Sequence, residues 1–312
     1  MDVADPLHPV QVCGLSNVTG GRFISATKIA FWYFLFVGVA DLQTGSVNWS
    51  RAFASTPPFT VAFNADGTKW AYQTGDDINT GVTTHLVVAG KDKTILTRRP
   101  VGGHGGVPYG PLVQLEFSSG GQYLLTYTES PKQSERPNFI VFAMDGSVAF
   151  QSATANFGVW DKSGNRLYFL AAKLAGDISG QVSSWDPGGA PAIRSRGLAS
   201  YIWPTISPDG RFIVFDSYDT NGLPHPWRLD TASGALVELS AARSSGPVFV
   251  GASVIWSTEE QPCQCGPSGN SAPDGKVVAH DLQSGADTVV GDFTGFTQSS
   301  QATANILDVW LS

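Results

Sequence analysis

Residues 203–217 read WPTISPDGRFIVFDS, in which two apolar segments flank the turn sequence Ser207-Pro208-Asp209-Gly210. Apolar segments on either side of an Asp-Gly turn are typical of two antiparallel strands joined by a tight connection. Glycine tolerates the positive φ angle that such turns require. The stretch therefore predicts a β-hairpin.

The same hairpin phrase recurs along the chain. Clear copies are FTVAFNADGTKWAYQT from Phe59, VQLEFSSGGQYLLTYT from Val113 and FGVWDKSGNRLYFLAA from Phe157; degenerate copies begin at Arg22 and Pro247. The turn glycines recur about every 40 to 55 residues. Each copy is followed by a second hairpin phrase, such as VADLQTGSVNW, RLDTASGALVEL or AHDLQSGADTVV. One repeat thus holds four strands, which we name A, B, C and D.

Repeats of four strands at this spacing are typical of β-propeller blades, and helical periodicity is absent. Six repeats are explicit. Additional strands are expected at His8–Leu15 and within Phe296–Ser312. We therefore expect an all-β propeller of seven blades, closed by strands from both termini because closure removes exposed sheet edges; six blades is the alternative. Residues 1–312 are expected to form a single propeller domain.

The segment Ser207-Pro208-Asp209-Gly210-Arg211, followed by FIVFDS, resembles the repeat of TolB-type propellers. The continuation DTNGLPHPWRLDTASGALVEL is similar to that family's third and fourth strands, and Ala65-Asp66-Gly67 is a weaker copy of the turn. The resemblance implies the fold. It does not imply one function, because the family includes periplasmic scaffold proteins, propeller domains of serine peptidases and polysaccharide lyases.

Composition and charge narrow the classes of partner. Hydrophobic residues make up 42% of the chain, charged residues 14%, and the net charge is −7. No stripe of Lys and Arg is present, so nucleic acid is not an expected partner. The apolar run Ile29–Ala40 is too short to span a bilayer and predicts two buried strands. We expect a monomer without a membrane span. The start MDVADPLHP suits a mature chain whose leader was removed, which favours an extracytoplasmic (periplasmic or secreted) protein.

Three cysteines are present, at Cys13, Cys263 and Cys265. The C-x-C spacing is poor for a mutual disulfide, which leaves either free thiols or a disulfide from Cys13 to one of the pair. Zinc frameworks usually need four ligands at defined spacings. No metal site and no cofactor are therefore expected.

The expected binding surface lies on one face of the propeller. The A–B and C–D turns are short, whereas several B–C and D–A connections are long, and extra length on one face favours recognition. The long connections are expected near Thr74–Thr84, Arg98–Pro111, Glu129–Asn138, Lys173–Gly180, Ser217–Pro226 and Thr258–Lys276.

Aromatic residues near the starts of the A strands belong to the same face. We expect Tyr109, Tyr201 and Trp203 to bind a partner, with support from His104 and His225, because Trp and Tyr combine an apolar body with a polar tip. Phe157 has an equivalent position in another repeat. Packing in the strand core explains most of these aromatic residues equally well, and it explains Phe157 better.

The sequence favours a non-catalytic propeller that binds a protein, a peptide or a saccharide. It contains no G-x-S-x-G nucleophile elbow. The alternative is a carbohydrate-active enzyme, a lyase or hydrolase with a site in the central funnel. A metal-assisted lyase would require His104 and His225 to converge with a carboxylate.

Overall fold

The computed structural model contains β-strands and no helix in the part of the chain that it describes. The described residues are 20–25, 27–33, 35–51, 58, 60–74, 82–98, 113–128, 137–162, 164–173, 179–198, 201–218, 223–239, 244–250, 253–262 and 271–292. In this part, no helix is long and apolar enough to cross a membrane.

The strands form six sheets, and each sheet consists of four strands that are consecutive in the sequence. The first three sheets comprise β1 Gly20–Ser25, β2 Lys28–Tyr33, β3 Phe36–Asp41 and β4 Val47–Arg51; β5 Thr60–Phe63, β6 Lys69–Thr74, β7 Val82–Val88 and β8 Lys91–Arg98; and β9 Val113–Phe117, β10 Tyr123–Thr128, β11 Phe139–Ala143 and β12 Val148–Ser152. The apolar run Ile29–Ala40 thus forms two consecutive strands, as its length predicts.

The remaining sheets have the same order. They comprise β13 Ala155–Trp160, β14 Leu167–Ala172, β15 Gly180–Trp185 and β16 Ala192–Leu198; β17 Ile202–Ile206, β18 Phe212–Tyr218, β19 Pro224–Asp230 and β20 Leu236–Glu238; and β21 Ser244–Phe249, β22 Val254–Pro262, β23 Ser271–Asp281 and β24 Asp287–Asp292. All six repeats recognised in the sequence are therefore four-stranded sheets.

The number of sheets matches the six-blade alternative rather than the seven blades expected first. The reason is that the six explicit repeats account for every described strand, and none of these sheets mixes strands from distant parts of the sequence. The segments assigned to a seventh blade, His8–Leu15 and Phe296–Ser312, lie outside the described residues. Closure by the two termini therefore stays a prediction.

The chain divides into two compact units. One, the N-terminal unit, contains Asn17–Asp177 and Ser183–Ala192; the other, the C-terminal unit, contains Ile178–Val182 and the chain from Ile193 onward. The expectation of a single domain stays a prediction.

The core of the N-terminal unit lies between successive sheets. Ile24, Ala30 and Val37 of the first sheet share a buried cluster with residues of the second, and Ala62 and Leu86 of the second sheet share another cluster with the third. Every residue of the segment Phe139–Phe142 is buried. Since neighbouring residues in a strand point to opposite faces, both faces of that sheet are covered.

The C-terminal unit repeats this arrangement. Val214 of the fifth sheet packs in one buried cluster with Phe249 and Ile255 of the sixth. The opposite face of the sixth sheet contributes to a second cluster that contains Trp256 and Val277. Apolar side chains between sheets therefore form the core in both units.

Three of the turn glycines behave as the sequence predicts. Gly67, Gly121 and Gly210 have φ angles of +75°, +62° and +72°, a region that favours glycine. These three turns therefore depend on the conformational freedom of glycine.

Gly158 in β13 is required for a different reason, which is close packing. A methyl group at this position would lie 2.5 Å from Leu125 Cδ2, 3.0 Å from the ring of Phe139 and 3.2 Å from Leu167 Cδ1. All three neighbours are fully buried side chains with no room to move away.

We expect Gly158→Ala to lower the free energy of unfolding by about 1–3 kcal/mol, because an added methyl group overpacks this core. Gly164→Ala is the matched control, since a methyl group there meets no other heavy atom within 4 Å. Its effect should stay within about 0.5 kcal/mol. Urea unfolding of both variants measures the difference. Equal stability of the two variants would show that the close approach at Gly158 is not a packing constraint.

Candidate functional site

Each sheet has two different ends. The A–B and C–D turns lie at one end, the turn end, and the B–C connection lies at the opposite end, the loop end, because consecutive antiparallel strands reverse direction. Backbone pairings such as Thr60↔Gln73 and Lys69↔Val88 follow this order. The prediction of a binding surface concerns the loop ends.

The turn ends are closed by local hydrogen bonds. Oδ1 of Asp41 accepts hydrogen bonds from the backbone N–H groups of Gln43 and Thr44, at 2.9 and 3.0 Å. Asp230 repeats this pattern, and its Oδ1 accepts from the N–H groups two and three residues later at 3.0 and 2.9 Å. At Asp281 the same sequence, Asp-x-x-Ser-Gly, makes an equivalent turn. These turns use their own polar groups and leave little material for a pocket.

The loop ends carry the longer connections. Residues 75–81, 99–112, 129–136, 174–178, 219–222 and 263–270, which belong to them, lie outside the described residues. The strands that precede and follow them are described. Not every loop-end connection is long, since β12 and β13 are separated only by residues 153–154.

One expected loop is largely a hairpin. The segment Thr258–Lys276 was expected to be a B–C loop, but β22 continues to Pro262 and β23 begins at Ser271. Backbone pairs such as Glu260↔Pro273 and Pro262↔Ser271 lie beyond the last pairs that β21 and β24 make with these strands. The expectation was wrong because a polar segment rich in Pro and Gly can still pair when both of its strands continue out of a sheet. We call this element the extended hairpin.

Of the five predicted binding residues, only some lie in the part of the chain that the structure describes. His104 and Tyr109 lie outside the described residues. Trp203 lies in β17, but its side chain is not within the described part. The structure therefore allows an account of the side chains of Tyr201 and His225 only.

Tyr201 is a core residue. Its side chain is 0% exposed, and its ring packs on Phe215 with the ring centroids 4.8 Å apart. A ligand could reach Tyr201 only if this packing opened. The predicted contact with a ligand therefore requires a conformational change, whereas packing in the core, the other account that the sequence allowed, is what the structure shows.

His225 is the second residue of β19, the third strand of the fifth sheet, next to the loop end. Its Nδ1 lies 3.5 Å from Oε1 of Glu238, and its side chain is 13% exposed. The imidazole thus has a carboxylate neighbour on the fourth strand of its own sheet.

Irregular backbone marks the first strands near the loop ends. The register of pairing shifts between Asn156 and Gly158, between Ile202 and Thr205, and between Ser245 and Val248. Phe157, in the first of these bulges, has a φ angle of +45° and is 7% exposed. Bulges with strained residues are common beside binding sites because they redirect the strand.

Polar side chains hold two of these bulged strands in place. Gln114 of the third sheet accepts a hydrogen bond from Gly158 N–H at 2.9 Å and donates one to the carbonyl oxygen of the same residue. In the C-terminal unit, Oδ2 of the buried Asp216 accepts a hydrogen bond from Gly246 N–H at 2.8 Å. In both cases a side chain from one sheet fixes the first strand of the next. Sequence analysis missed both residues.

A histidine that the sequence analysis did not select joins three strands of the sixth sheet. Nε2 of His280 lies 2.6 Å from Oγ of Ser257, and Nδ1 lies 2.6 Å from Oδ1 of Asp287. The three groups have the chemistry of a hydrolase triad. Ser257 is 0% exposed, however, so no substrate reaches its hydroxyl in this conformation. The signal in the sequence was a His followed by an Asp seven residues later across a C–D turn.

In the described part of the chain, no three His, Cys, Asp or Glu side chains converge in a way that could hold a metal ion. His104 and the three cysteines lie outside that part.

No family model and no curated protein matches the chain. Solved structures do. An oligogalacturonate lyase in complex with manganese matches with a TM-score of 0.62 and 16% identity, over 80% of this chain and 76% of the lyase. The β-propeller domain of the Trilobed protease from Pyrococcus furiosus matches with a TM-score of 0.53 and 10% identity, over 93% of this chain and 100% of that domain. At such identities the likeness concerns the fold alone.

The chain is therefore an all-β protein of the β-propeller class. TolB from Acinetobacter baumannii is among the similar structures, with a TM-score of 0.49 and 13% identity, over 87% of this chain and 63% of that TolB. The propeller fold that the resemblance to TolB-type repeats predicted is confirmed by the likeness to the lyase and to the protease domain. A lyase and a protease domain share this fold, so the fold alone does not identify the function.

Hydrogen bonds within the turns lower the pKa of three aspartates at the turn ends. The backbone N–H of Thr44 contributes most to a lowered pKa of Asp41; the N–H groups of Ser233 and Gln283 do the same for the pKa of Asp230 and Asp281. A carboxyl group whose pKa is lower in the folded state stabilises the fold above its unfolded pKa. That contribution is lost as the pH falls through the folded pKa.

We expect the free energy of unfolding to decrease as the pH falls below about 4, the ordinary pKa of Asp. In a variant combining Asp41→Asn, Asp230→Asn and Asp281→Asn, the decrease should be smaller, because Asn keeps the Oδ1 acceptor but does not titrate. Urea unfolding between pH 7 and pH 3 measures both proteins. An unchanged pH dependence in the triple variant would rule out these turns as its source.

Proposed function

We propose that this chain is a non-catalytic binding or scaffold propeller of the TolB-like type that recognises a protein, a peptide or a saccharide through the loop ends of its sheets. The observation that carries the proposal is the difference between the two ends. The turn ends are closed by short turns whose polar groups bond to each other, whereas the longest connection, residues 99–112, belongs to the loop ends. Long connections on a rigid sheet scaffold are where binding residues concentrate.

The first strands of the fourth and sixth sheets support this proposal. Gln114 and Asp216 hold these bulged strands next to the loop ends by hydrogen bonds, and core residues of both strands, such as Val159 and Phe249, are buried. A connection that starts from a rigid strand loses less conformational entropy on binding than one that starts from a mobile strand. We therefore place the binding residues on the connections and the positioning residues on the strands.

Among the predicted contact residues, His104, Tyr109 and Trp203 are proposed to touch the partner directly. His225 is proposed to contribute from the edge, since Glu238 already engages its Nδ1 side. Tyr201 is proposed to take part only through the core that carries Trp203, because its own side chain is buried.

We also propose that the protein is a monomer that works outside the cytoplasm. A net charge of −7 favours solubility, and it disfavours association with nucleic acids.

The alternative is a carbohydrate-active enzyme. The oligogalacturonate lyase shows that the propeller fold can carry such chemistry, although the identity of 16% transfers no residue role. Incubating the full chain with oligogalacturonate and manganese, and following the unsaturated product by ultraviolet absorbance, tests this alternative directly. Turnover would show that the protein is an enzyme and would contradict the proposal of a non-catalytic binding protein.

The binding proposal is tested with two probes, a panel of soluble oligosaccharides and a displayed library of random peptides. Hydrogen exchange of the full chain, with and without each probe that binds, locates the footprint. Protection of peptides that include residues 99–112 and the start of β17 is the expected result. A footprint on the turns at Gly67, Gly121 and Gly210 would contradict the proposal.

We expect Trp203→Ala to weaken binding of the selected probe by at least about 2 kcal/mol, as truncation of a central aromatic anchor does. Lys162→Ala, at an exposed position in the β13–β14 turn, is the control and should leave affinity unchanged. Isothermal titration measures both affinities, and circular dichroism confirms that both variants are folded. Equal affinities for the two variants would remove Trp203 from the site.

A further inference from the structure

The network around His280 has a close counterpart in the second sheet. There, Nε2 of His85 lies 3.4 Å from Oγ1 of Thr74, and Nδ1 lies 3.1 Å from Oδ1 of Asp92. The order is the same in both sheets: a hydroxyl on the B strand, an imidazole on the C strand and a carboxylate on the D strand. The histidine and the aspartate are seven residues apart in both cases.

The two networks differ in their surroundings. In the second sheet, the ring of Tyr72 stacks on His85 with centroids 4.4 Å apart, and the Tyr72 hydroxyl donates a hydrogen bond to the other oxygen of Asp92. In the sixth sheet, the imidazole of His280 is buried, with 3% of its side chain exposed, while Asp287 is 36% exposed. The same three types of side chain therefore interact in both sheets, although the residues around them differ. This indicates that each network acts within its own sheet.

Among the described strands, the D strand lies at one edge of its sheet and pairs with the C strand only. Edge strands open most easily, because only one neighbour holds them. In the sixth sheet, the ladder between β23 and β24 is further interrupted by a register shift between Val277 and Val278. A hydrogen-bonded network of side chains that reaches from the D strand to the B strand adds a second connection where the β23–β24 ladder is interrupted.

We propose that Ser257, His280 and Asp287 form a latch that holds the edge strand β24 on its sheet, and that Thr74, His85 and Asp92 form the equivalent latch for β8. Both ring nitrogens of each histidine are engaged in the latch. In this proposal the two histidines are positioning residues that connect the D strand to the B strand. Opening the latch of the sixth sheet would leave the buried Ser257 hydroxyl and His280 imidazole without these partners, which makes partial opening unfavourable.

The latch of the sixth sheet also anchors the extended hairpin. His280 lies on β23, whose other end forms the hairpin from Ser271 onward. Between the two points, Lys276 Nζ contacts Glu259 Oε2 at 3.1 Å, with both side chains about one-third exposed. An exposed pair of this kind contributes little, so the buried latch is the stronger anchor of β23.

Hydrogen exchange of the full chain without any binding probe tests the latch. Asp287→Ala and Ser257→Ala should each raise the exchange rate of β24 amides by at least about tenfold, because each removes a partner of the buried imidazole. Peptides from the first three sheets should exchange as in the parent protein. Asp287→Asn retains an acceptor oxygen for Nδ1–H and should restore most of the protection.

The second sheet provides the matched control. Asp92→Ala should raise exchange in β8 and leave β24 unchanged, which separates a local latch from a general loss of stability. If the latch is one unit, Ser257→Ala combined with Asp287→Ala should raise exchange by less than the product of the two single effects. Uniform acceleration in all sheets, or unchanged exchange in β24, would overturn the proposal. Since no ligand is used, the result is independent of the proposed binding function.

Discussion

Burial of both faces of each sheet is the constraint on which the rest of the structure depends. In Phe139–Phe142 and in Leu167–Leu170, four consecutive residues are all buried, although neighbours point to opposite faces. A sheet of this kind is not stable by itself in water, because both of its faces are apolar and would be exposed. A single packing partner would cover only one of the two faces. Stacking against a sheet on either side satisfies both faces. The clusters shared by the first and second sheets and by the fifth and sixth are the result.

The same packing determines where polar groups can lie. Between apolar sheets, a polar side chain is tolerated when it bonds to another part of the protein. Gln114 and Asp216 meet this condition by binding the backbone of the next sheet, and His280 meets it within its own sheet. Each of these groups therefore combines the cost of burial with a positioning role: the first two hold bulged strands near the loop ends, and the third holds an outer edge. Rigid strands of this kind provide a suitable base for variable connections.

The propeller fold does not by itself determine function, which depends on particular side chains. A lyase and a protease domain share it at identities of 16% and 10%. The Ser257–His280–Asp287 network shows the same point at the scale of side chains, because it has the composition of a catalytic triad but a nucleophile without exposed surface. Chemistry requires access as well as the right groups, and access is a property of the packed structure.

The sequence by itself determined the repeat. Apolar segments that alternate with tight turns are a local feature of the sequence. The six sheets, the turn glycines at Gly67, Gly121 and Gly210, and the pairing of Ile29–Ala40 as two strands were therefore predictable from neighbouring residues. The structure alone decided what depends on residues distant in sequence. It placed Tyr201 in the core against Phe215, continued β22 and β23 into the extended hairpin, and joined Gln114 to Gly158 and Ser257 to His280. An aromatic residue has the same local pattern whether it faces a ligand or a neighbouring side chain, because burial is set by what packs against it after folding.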